Sequence, residues 1–223
     1  KNVFIFAGLF FDGKAFLPRQ LLLSLAAFGI FCLVSGAVYL INDLADIDKD
    51  RMHPTKRHRP LASGALPVGV ARSAAIAIMA TMLPLALLIH VPLGLTTIAY
   101  AALMVAYSFW LKHVVIIDVM VIASGFVLRV LAGTLVVQVT RFSPWLYVCT
   151  TLLALFIALN RRRHELVLLA DKANDHRSVL DDYSLEFIDS ATSLVTATAL
   201  VAYSLYTFSA PNVPANHAMM LTI

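Results

Sequence analysis

The sequence contains little charge and almost no cysteine. Asp, Glu, Lys and Arg make up 13% of the 223 residues, against roughly a quarter in an average soluble domain. The two cysteines, Cys32 and Cys149, lie inside apolar runs without a pairing motif. This excludes a disulfide framework and predicts buried packing residues. No low-complexity tract, proline-rich linker or short repeat divides the chain, so a single catalytic domain over residues 1–223 is the simplest organisation.

Hydrophobic residues are abundant and occur in long runs. They make up 60% of the sequence. A hydrocarbon core of about 30 Å takes roughly 20 helical residues. The runs long enough to span it are residues 19–41, 67–89, 93–110, 114–137, 143–159 and 188–209. The sequence therefore predicts an all-α fold, a polytopic transmembrane helical bundle with six complete spans.

Both ends of the sequence are also apolar. KNVFIFAGLFF at 1–11 resembles the tail of a helix, and HAMMLTI at 217–223 resembles the start of another. We expect the chain to be a fragment of a protein with about seven to nine spans. The opening run lacks a positively charged start and a small-residue cleavage site, so we do not interpret it as a signal peptide.

Basic residues are distributed unevenly among the connecting loops. Loops 42–72, 111–113 and 160–187 contain twelve Lys and Arg, whereas the loops on the other side contain three. The positive-inside bias places the first set in the cytoplasm and predicts a multi-pass protein of the cell membrane. Ten of the thirteen acidic residues lie on the same side. Because acidic residues contribute little to orientation, they require a functional explanation.

An acidic stripe, defined as Asn42, Asp43, Asp46 and Asp50, follows the first long run. If the helix continues, 100° per residue places these side chains within about a 100° arc, whereas Asp48 points away. Mutually repelling carboxylates beside a membrane favour a bound cation. Oxygen ligands without an EF-hand loop favour Mg²⁺, which combines carboxylates with substrate phosphates. We predict that the stripe binds Mg²⁺ and that its aspartates are catalytic; a solvated helix end is the alternative.

A basic segment comes directly after the acidic stripe. Its cationic members are Lys49, Arg51, His53, Lys56, Arg57, His58 and Arg59. Arginine binds phosphate oxygens bidentately and lysine adds a point charge. We predict that Lys56 and Arg59 bind the phosphates of a diphosphate substrate. Alternatively, these cations only satisfy the positive-inside bias or neutralise the aspartates. A short basic cluster beside a membrane argues against a nucleic-acid partner.

Four further polar residues lie in or beside later spans. Asp118 and Arg129 are eleven residues apart, which places them on one helical face. Ionisable residues near mid-membrane face the bundle interior or a wet cavity, so both are predicted to line a substrate cavity. A structural ion pair is the alternative. Lys112, with Tyr107 about one turn before it, is predicted to reach a phosphate, although snorkelling also explains this lysine.

The sequence NDLADIDKD at 42–50 fits the pattern NDxxDxxxD, and RPLASG follows at 59–64. In this position the pattern resembles the first motif of the UbiA superfamily of intramembrane prenyltransferases. The resemblance implies a bundle of about nine spans in which aspartates hold Mg²⁺ against a diphosphate in a central cavity. Residues 53–60 and 107–133 resemble the branch that joins phosphoribosyl diphosphate to a polyprenyl phosphate, decaprenyl phosphate, for cell-wall arabinose donors.

The chain departs from the aromatic prenyltransferases of that superfamily at a later span. Those enzymes carry a second acidic motif, whereas ALNRRRHELVLLADKAND at 158–175 has Asn160 and three arginines where carboxylates are expected. Arginines suit a substrate pair that carries more phosphate groups. Arg162 is therefore predicted to bind substrate, and Glu165 is predicted to orient arginine or the ribose hydroxyls.

The predicted function is Mg²⁺-dependent transfer of 5-phosphoribosyl from phosphoribosyl diphosphate to a polyprenyl phosphate, with release of diphosphate. The alternative is transfer of a prenyl group from its diphosphate to an aromatic or other small acceptor. For that reaction Asp171 and Asp175 would have to supply the second acidic cluster. A transporter is a third possibility, but the sequence shows no internal repeat.

Overall fold

The computed structural model describes residues 1–139, 144–169 and 183–209, which contain helices and turns without a β-strand. A 3₁₀ helix, Asn2–Phe6, precedes the first α-helix. The α-helices of the described residues are α1 (Ala7–Phe11), α2 (Pro18–Ala45), α3 (Ile47–Met52), α4 (Val68–Ile89), α5 (Val91–Phe109), α6 (Ile117–Val137), α7 (Pro144–Leu169) and α8 (Leu185–Ser209). Short 3₁₀ helices, Lys56–His58 and Leu111–His113, lie in two of the connections.

Within the described residues, six helices are long and apolar enough to cross a membrane, namely α2 and α4 to α8. They correspond to the six predicted runs, so the all-α bundle is confirmed. One difference is in α7, which continues to Leu169 although its apolar run ends near residue 159. The helix continues because its added residues, including the arginines at 161–163, are good helix formers even without apolar character.

The predicted continuation of α2 through the acidic stripe is wrong at one residue. Helix α2 ends at Ala45, and α3 begins at Ile47. Between them, Asp46 has φ −104° and ψ 8°, outside the helical region. The arc expected for an unbroken helix is therefore interrupted, and the side chain of Asp46 is free to take a different direction from those of Asp43 and Asp50.

Helix α6 is the central helix of the described bundle. Buried residues make up 61% of its most apolar window, compared with 11% for α4 and 11% for α8. It contacts α2, α5, α7 and the N-terminal segment. Its buried side chains join Ile5, Phe31 and Leu93 in the main hydrophobic core. The chemistry of the interior is therefore set mainly by what α6 and its neighbours present to one another.

The N-terminal segment packs on α6 at two glycines. A Cβ atom at Gly133 would overlap the carbonyl oxygen of Ile5, and one at Gly8 would lie 2.9 Å from the Cα of Thr134. Small residues allow helix backbones to approach closely within a membrane bundle. This contact holds Asn2 over the middle of α6.

We expect Gly133→Ala to destabilise the protein, because the added methyl group meets rigid backbone. Overpacking of this kind costs about 1–3 kcal/mol. Gly36→Ala is the matched control, since a Cβ atom there has nothing within 4 Å and alanine favours a helix by up to about 1 kcal/mol. Thermal unfolding in detergent measures both changes. A lower midpoint for Gly36→Ala than for Gly133→Ala would contradict this packing.

Candidate active site

A cavity of about 160 Å³ lies inside the bundle, between α2, α5, α6 and the end of α7. Apolar and aromatic side chains form part of its wall. Its polar lining residues include Asn42, Asp43, Arg59, Tyr107, Arg129 and Arg161. The fold thus brings five of the predicted site residues together around one space. Arg161, a member of the arginine run at 161–163, joins them.

Arg59 connects two carboxylates of the acidic stripe. Its Nη1 atom donates to Asp43 Oδ1 at 2.9 Å and to Asp50 Oδ2 at 2.8 Å. The Asp50 side chain is only 6% exposed, compared with 27% for Asp43. A buried carboxylate is retained only when it is paired, so Arg59 holds the two acids together.

Asp46 has a different partner. The Nζ atom of Lys112 lies 2.6 Å from Asp46 Oδ1, and the lysine side chain is only 3% exposed. Lys112 lies in the short 3₁₀ helix between α5 and α6, so this pair joins two connections at the same end of the bundle. Lys112 is therefore in the predicted region, where its ammonium group contacts a carboxylate.

The donor set fits a magnesium ion with two carboxylates. Among the described residues, no group of three or more His, Cys, Asp or Glu is arranged to hold a metal. Asp43 and Asp50, however, already share one cationic atom. Mg²⁺ commonly uses one or two carboxylates and completes its shell with water and substrate phosphates. Asn42 lies next to Asp43 on the cavity wall, whereas one carboxylate oxygen of Asp46 is paired with Lys112.

Arg129 is buried at the inner part of the cavity. Its Nη1 donates to the carbonyl oxygen of Gly125 at 2.6 Å, its Nε to Asn2 Oδ1 at 2.7 Å and its Nη2 to the Tyr100 hydroxyl at 2.7 Å. Ser35 Oγ lies 3.3 Å from the same Nη2. Within the described residues these partners are all neutral. Its positive charge is therefore not balanced by a carboxylate, and this favours an anion in the cavity.

Asp118 lies apart from Arg129, although both are buried on α6. Asp118 Oδ2 accepts a hydrogen bond from Arg162 Nε at 2.6 Å, and its Oδ1 accepts one from the Tyr183 hydroxyl at 2.7 Å. Tyr183 also accepts a hydrogen bond from the backbone N–H of Ile116 at 2.6 Å. Burial, together with the bond to Asp118, raises the pKa of the Tyr183 hydroxyl, so it remains a donor. Asp118 does not line the cavity; its predicted contact with substrate stays a prediction.

Arg162 and Glu165 form an ion pair at the end of the bundle that also holds Asp46 and Lys112. Arg162 is almost fully buried, and its Nη2 lies 3.2 Å from the Tyr107 hydroxyl on the cavity wall. Arg162 therefore reaches the cavity through Tyr107. Glu165 also accepts from Arg161 Nε at 3.3 Å. Their roles in substrate binding stay predictions.

The remaining predicted residues are not in the cavity lining. Lys56 lies exposed on the 3₁₀ helix Lys56–His58. Asp171 and Asp175 lie outside the described residues.

Sequence reasoning missed Asn2, Ser35 and Tyr100, which hold Arg129. The only available signal was that polar side chains are uncommon within apolar runs. Tyr183 was missed because nothing local links it to Asp118.

The apolar helices and the charged cavity between them define a multi-pass α-helical membrane protein. Residues 2–178 match the UbiA prenyltransferase family, and the chain belongs to that family. The resemblance found in its motifs is thereby confirmed.

The chain is 32% identical over 212 residues to the decaprenyl-phosphate phosphoribosyltransferase of Corynebacterium glutamicum, covering 93% of this chain and 64% of that protein. It is 33% identical over 183 residues to the protein of the same name from Mycolicibacterium smegmatis, covering 82% of this chain and 57% of that one. The chain thus spans less than two thirds of the length of these relatives. Its fold is similar to that of a UbiA homologue from Archaeoglobus fulgidus bound to DMAPP and Mg²⁺, with a TM-score of 0.77 and 18% identity, over 99% of this chain and 80% of that one.

Proposed function

We propose that the protein transfers 5-phosphoribosyl from phosphoribosyl diphosphate to a polyprenyl phosphate and releases diphosphate. The observation that carries this proposal is the arginine content of the cavity: Arg59, Arg129 and Arg161 all contribute to its wall. In the described part of the chain, Arg161 lies in the last third of α7, in the region where a second acidic cluster would serve prenyl diphosphate. The names of the relatives support the same reaction.

The substrates of this reaction carry three phosphate sites, and the proposal assigns cations to them. Asp43 and Asp50, assisted by Asn42 and Asp46, would hold Mg²⁺, which when bound supplies positive charge to the departing diphosphate. Arg59, Lys112 and Lys56 neutralise the phosphates of the same group. Positive charge beside the departing oxygens stabilises the leaving group.

The acceptor needs little activation by the protein. A lipid phosphate is already an anion near neutral pH, so its oxygen attacks the anomeric carbon without a strong general base. The bond from that carbon to the diphosphate breaks, and the diphosphate leaves with the electron pair. Arg129 lies deeper in the bundle than Asp43, so we assign it to a phosphate that remains on a substrate. Tyr107, whose hydroxyl group contacts Arg162, positions the part of the substrate that lies between Asp43 and Arg129.

The proposed reaction takes place at the cytoplasmic end of the bundle. Asp43, Lys112 and Arg162 belong to the three segments that the positive-inside bias assigns to the cytoplasm. Phosphoribosyl diphosphate, a soluble and highly charged molecule, would enter from that side. The polyprenyl phosphate would enter from the membrane.

Prenyl transfer to a small acceptor is the second candidate. The observation that favours it is the fold, which is similar to that of a UbiA homologue bound to DMAPP and Mg²⁺. The two candidates differ in the donor that the cavity accepts.

A transfer assay with the full-length protein in detergent and Mg²⁺ distinguishes the two. One reaction contains labelled phosphoribosyl diphosphate and polyprenyl phosphate, and the other contains labelled prenyl diphosphate and 4-hydroxybenzoate. We expect label in the lipid product of the first reaction alone. Turnover in the second reaction alone would reject phosphoribosyl transfer.

Arg129→Gln should weaken the accepted reaction at least about tenfold, because a buried charged hydrogen bond to an anion is lost.

A further inference from the structure

Each carboxylate of the acidic stripe is paired with a cation of the protein. Arg59 bonds to Asp43 and Asp50, and Lys112 bonds to Asp46. The three carboxylates carry three negative charges, and the two cationic side chains contribute two positive charges. The arrangement is therefore almost neutral before any ligand arrives. A divalent cation alone gains little from entering it, because two positive side chains already neutralise these carboxylates and hold one oxygen of each.

Arg59 must move if a metal is to take these oxygens. A guanidinium group does not lose its proton in proteins, so Arg59 cannot relieve the repulsion by becoming neutral. Its side chain is 38% exposed and also lines the cavity. It lies at the end of the 3₁₀ helix Lys56–His58, where the backbone is extended. The side chain therefore has space to turn, and it needs an anion to turn to.

We infer that Arg59 couples the binding of the metal to the binding of the diphosphate. In the absence of ligands, Arg59 occupies the position between Asp43 and Asp50. When a diphosphate enters the cavity, Arg59 exchanges the carboxylates for phosphate oxygens, and the carboxylates become available to Mg²⁺. This inference rests on the metal and diphosphate site of the proposed function. It does not depend on whether the diphosphate carries a phosphoribosyl or a prenyl group.

The coupling predicts that removing Arg59, although it binds substrate, strengthens the binding of the metal. Without Arg59, Asp43 and Asp50 lose the cation that competes with the metal for their oxygens. The same change is expected to reduce the extent to which diphosphate strengthens metal binding. Substituting a residue that only binds phosphate would reduce the effect of diphosphate on metal binding but would not strengthen the binding of the metal alone.

The test measures the binding of Mn²⁺, a spin probe for the Mg²⁺ site, to the full-length protein in detergent. A metal buffer sets the concentration of free Mn²⁺, with and without inorganic pyrophosphate. Electron paramagnetic resonance measures that free concentration. For the natural sequence we expect pyrophosphate to tighten Mn²⁺ binding at least about tenfold, within the usual range of coupling between sites. For Arg59→Gln we expect Mn²⁺ alone to bind about tenfold tighter than to the natural sequence.

Arg57→Gln is the matched control. Arg57 lies two positions away and is exposed, and its side chain bonds only to His58 in the described structure. The substitution removes the same charge from the same loop, so it should leave Mn²⁺ binding unchanged within about twofold. An equal gain in both variants would overturn the inference in favour of a general effect of loop charge.

Three further outcomes are decisive. If Arg59→Gln binds Mn²⁺ no more tightly than the natural sequence, Arg59 is not the competing cation and the inference fails. If Arg59→Gln does not fold, the natural sequence decides alone: equal Mn²⁺ affinity with and without pyrophosphate overturns the coupling. If no variant binds Mn²⁺ under either condition, the metal site of the proposed function fails as well. Activity with phosphoribosyl diphosphate is a separate reading and is not needed for any of these.

Discussion

Asp43→Asn is expected to lower the rate of transfer by at least about a hundredfold, the cost of removing a preorganised group that stabilises developing charge. Asp43 lines the cavity and shares Arg59 with Asp50. An asparagine keeps the size of the side chain but removes the charge that would hold a divalent cation against the diphosphate. The loss should therefore appear in kcat/KM while the unfolding temperature changes little.

Asp48→Asn is the matched control for this result. Asp48 is separated from Asp43 by a single turn of helix and the break at Asp46. Its side chain is nevertheless 86% exposed and, among the described residues, pairs only with the exposed Arg51. The same chemical change there should alter activity by less than about twofold. Both variants are assayed in detergent at saturating Mg²⁺. A comparable loss in Asp48→Asn would mean that net charge near the loop matters and that the position of Asp43 does not.

Arg162→Met is expected to destabilise the protein by about 3–5 kcal/mol, because it removes one partner of a buried ion pair. The side chains of Arg162 and Asp118 are 1% and 0% exposed. The substitution leaves Asp118 buried, with Tyr183 as its remaining side-chain partner among the described residues. It also frees Tyr107 from its contact with the guanidinium group. We therefore expect a lower unfolding free energy and weaker transfer together.

The neighbouring arginine provides the control. Arg163 pairs with Asp189 on the surface, where the two side chains are 46% and 51% exposed. Solvent screens such a pair, so Arg163→Met should hardly change stability. Unfolding in mixed detergent compares the two variants. The double variant Asp118→Asn with Arg162→Met should lose less than the two single changes added together, since residues in one network are coupled. Full additivity would contradict the assignment of a single network.

Much of the fold could be predicted from the sequence because its signals are local. Each span is a continuous apolar run of the length that a bilayer requires, as in residues 67–89 and 114–137. The end of the first span carries the motif at 42–50, and the structure places Asn42 and Asp43 on the cavity wall. Composition, run length and one short motif were sufficient for these results.

The partners of the charged residues could not be predicted in the same way. Arg162 and Asp118 are 44 positions apart, and Lys112 and Asp46 are 66 positions apart. Helical spacing put Asp118 and Arg129 on one face, which suggested a shared role. In the fold, the two side chains lie at different depths along α6 and contact different neighbouring helices. Spacing along one helix contains no information about what the next helix presents.

The sequence by itself determined the six spans of the described residues, the end of the bundle at which charged residues gather, and the residue types available there. Only the tertiary structure decided that Arg59 bridges Asp43 and Asp50, that Asp46 turns to Lys112, and that Arg129 has neutral partners. The physical reason is the solvent. In a bilayer, the face of a helix that contacts lipid is as apolar as the face that contacts another helix, so hydropathy does not report how each helix is rotated. The pairing of buried charges depends on that rotation, and packing between helices fixes it.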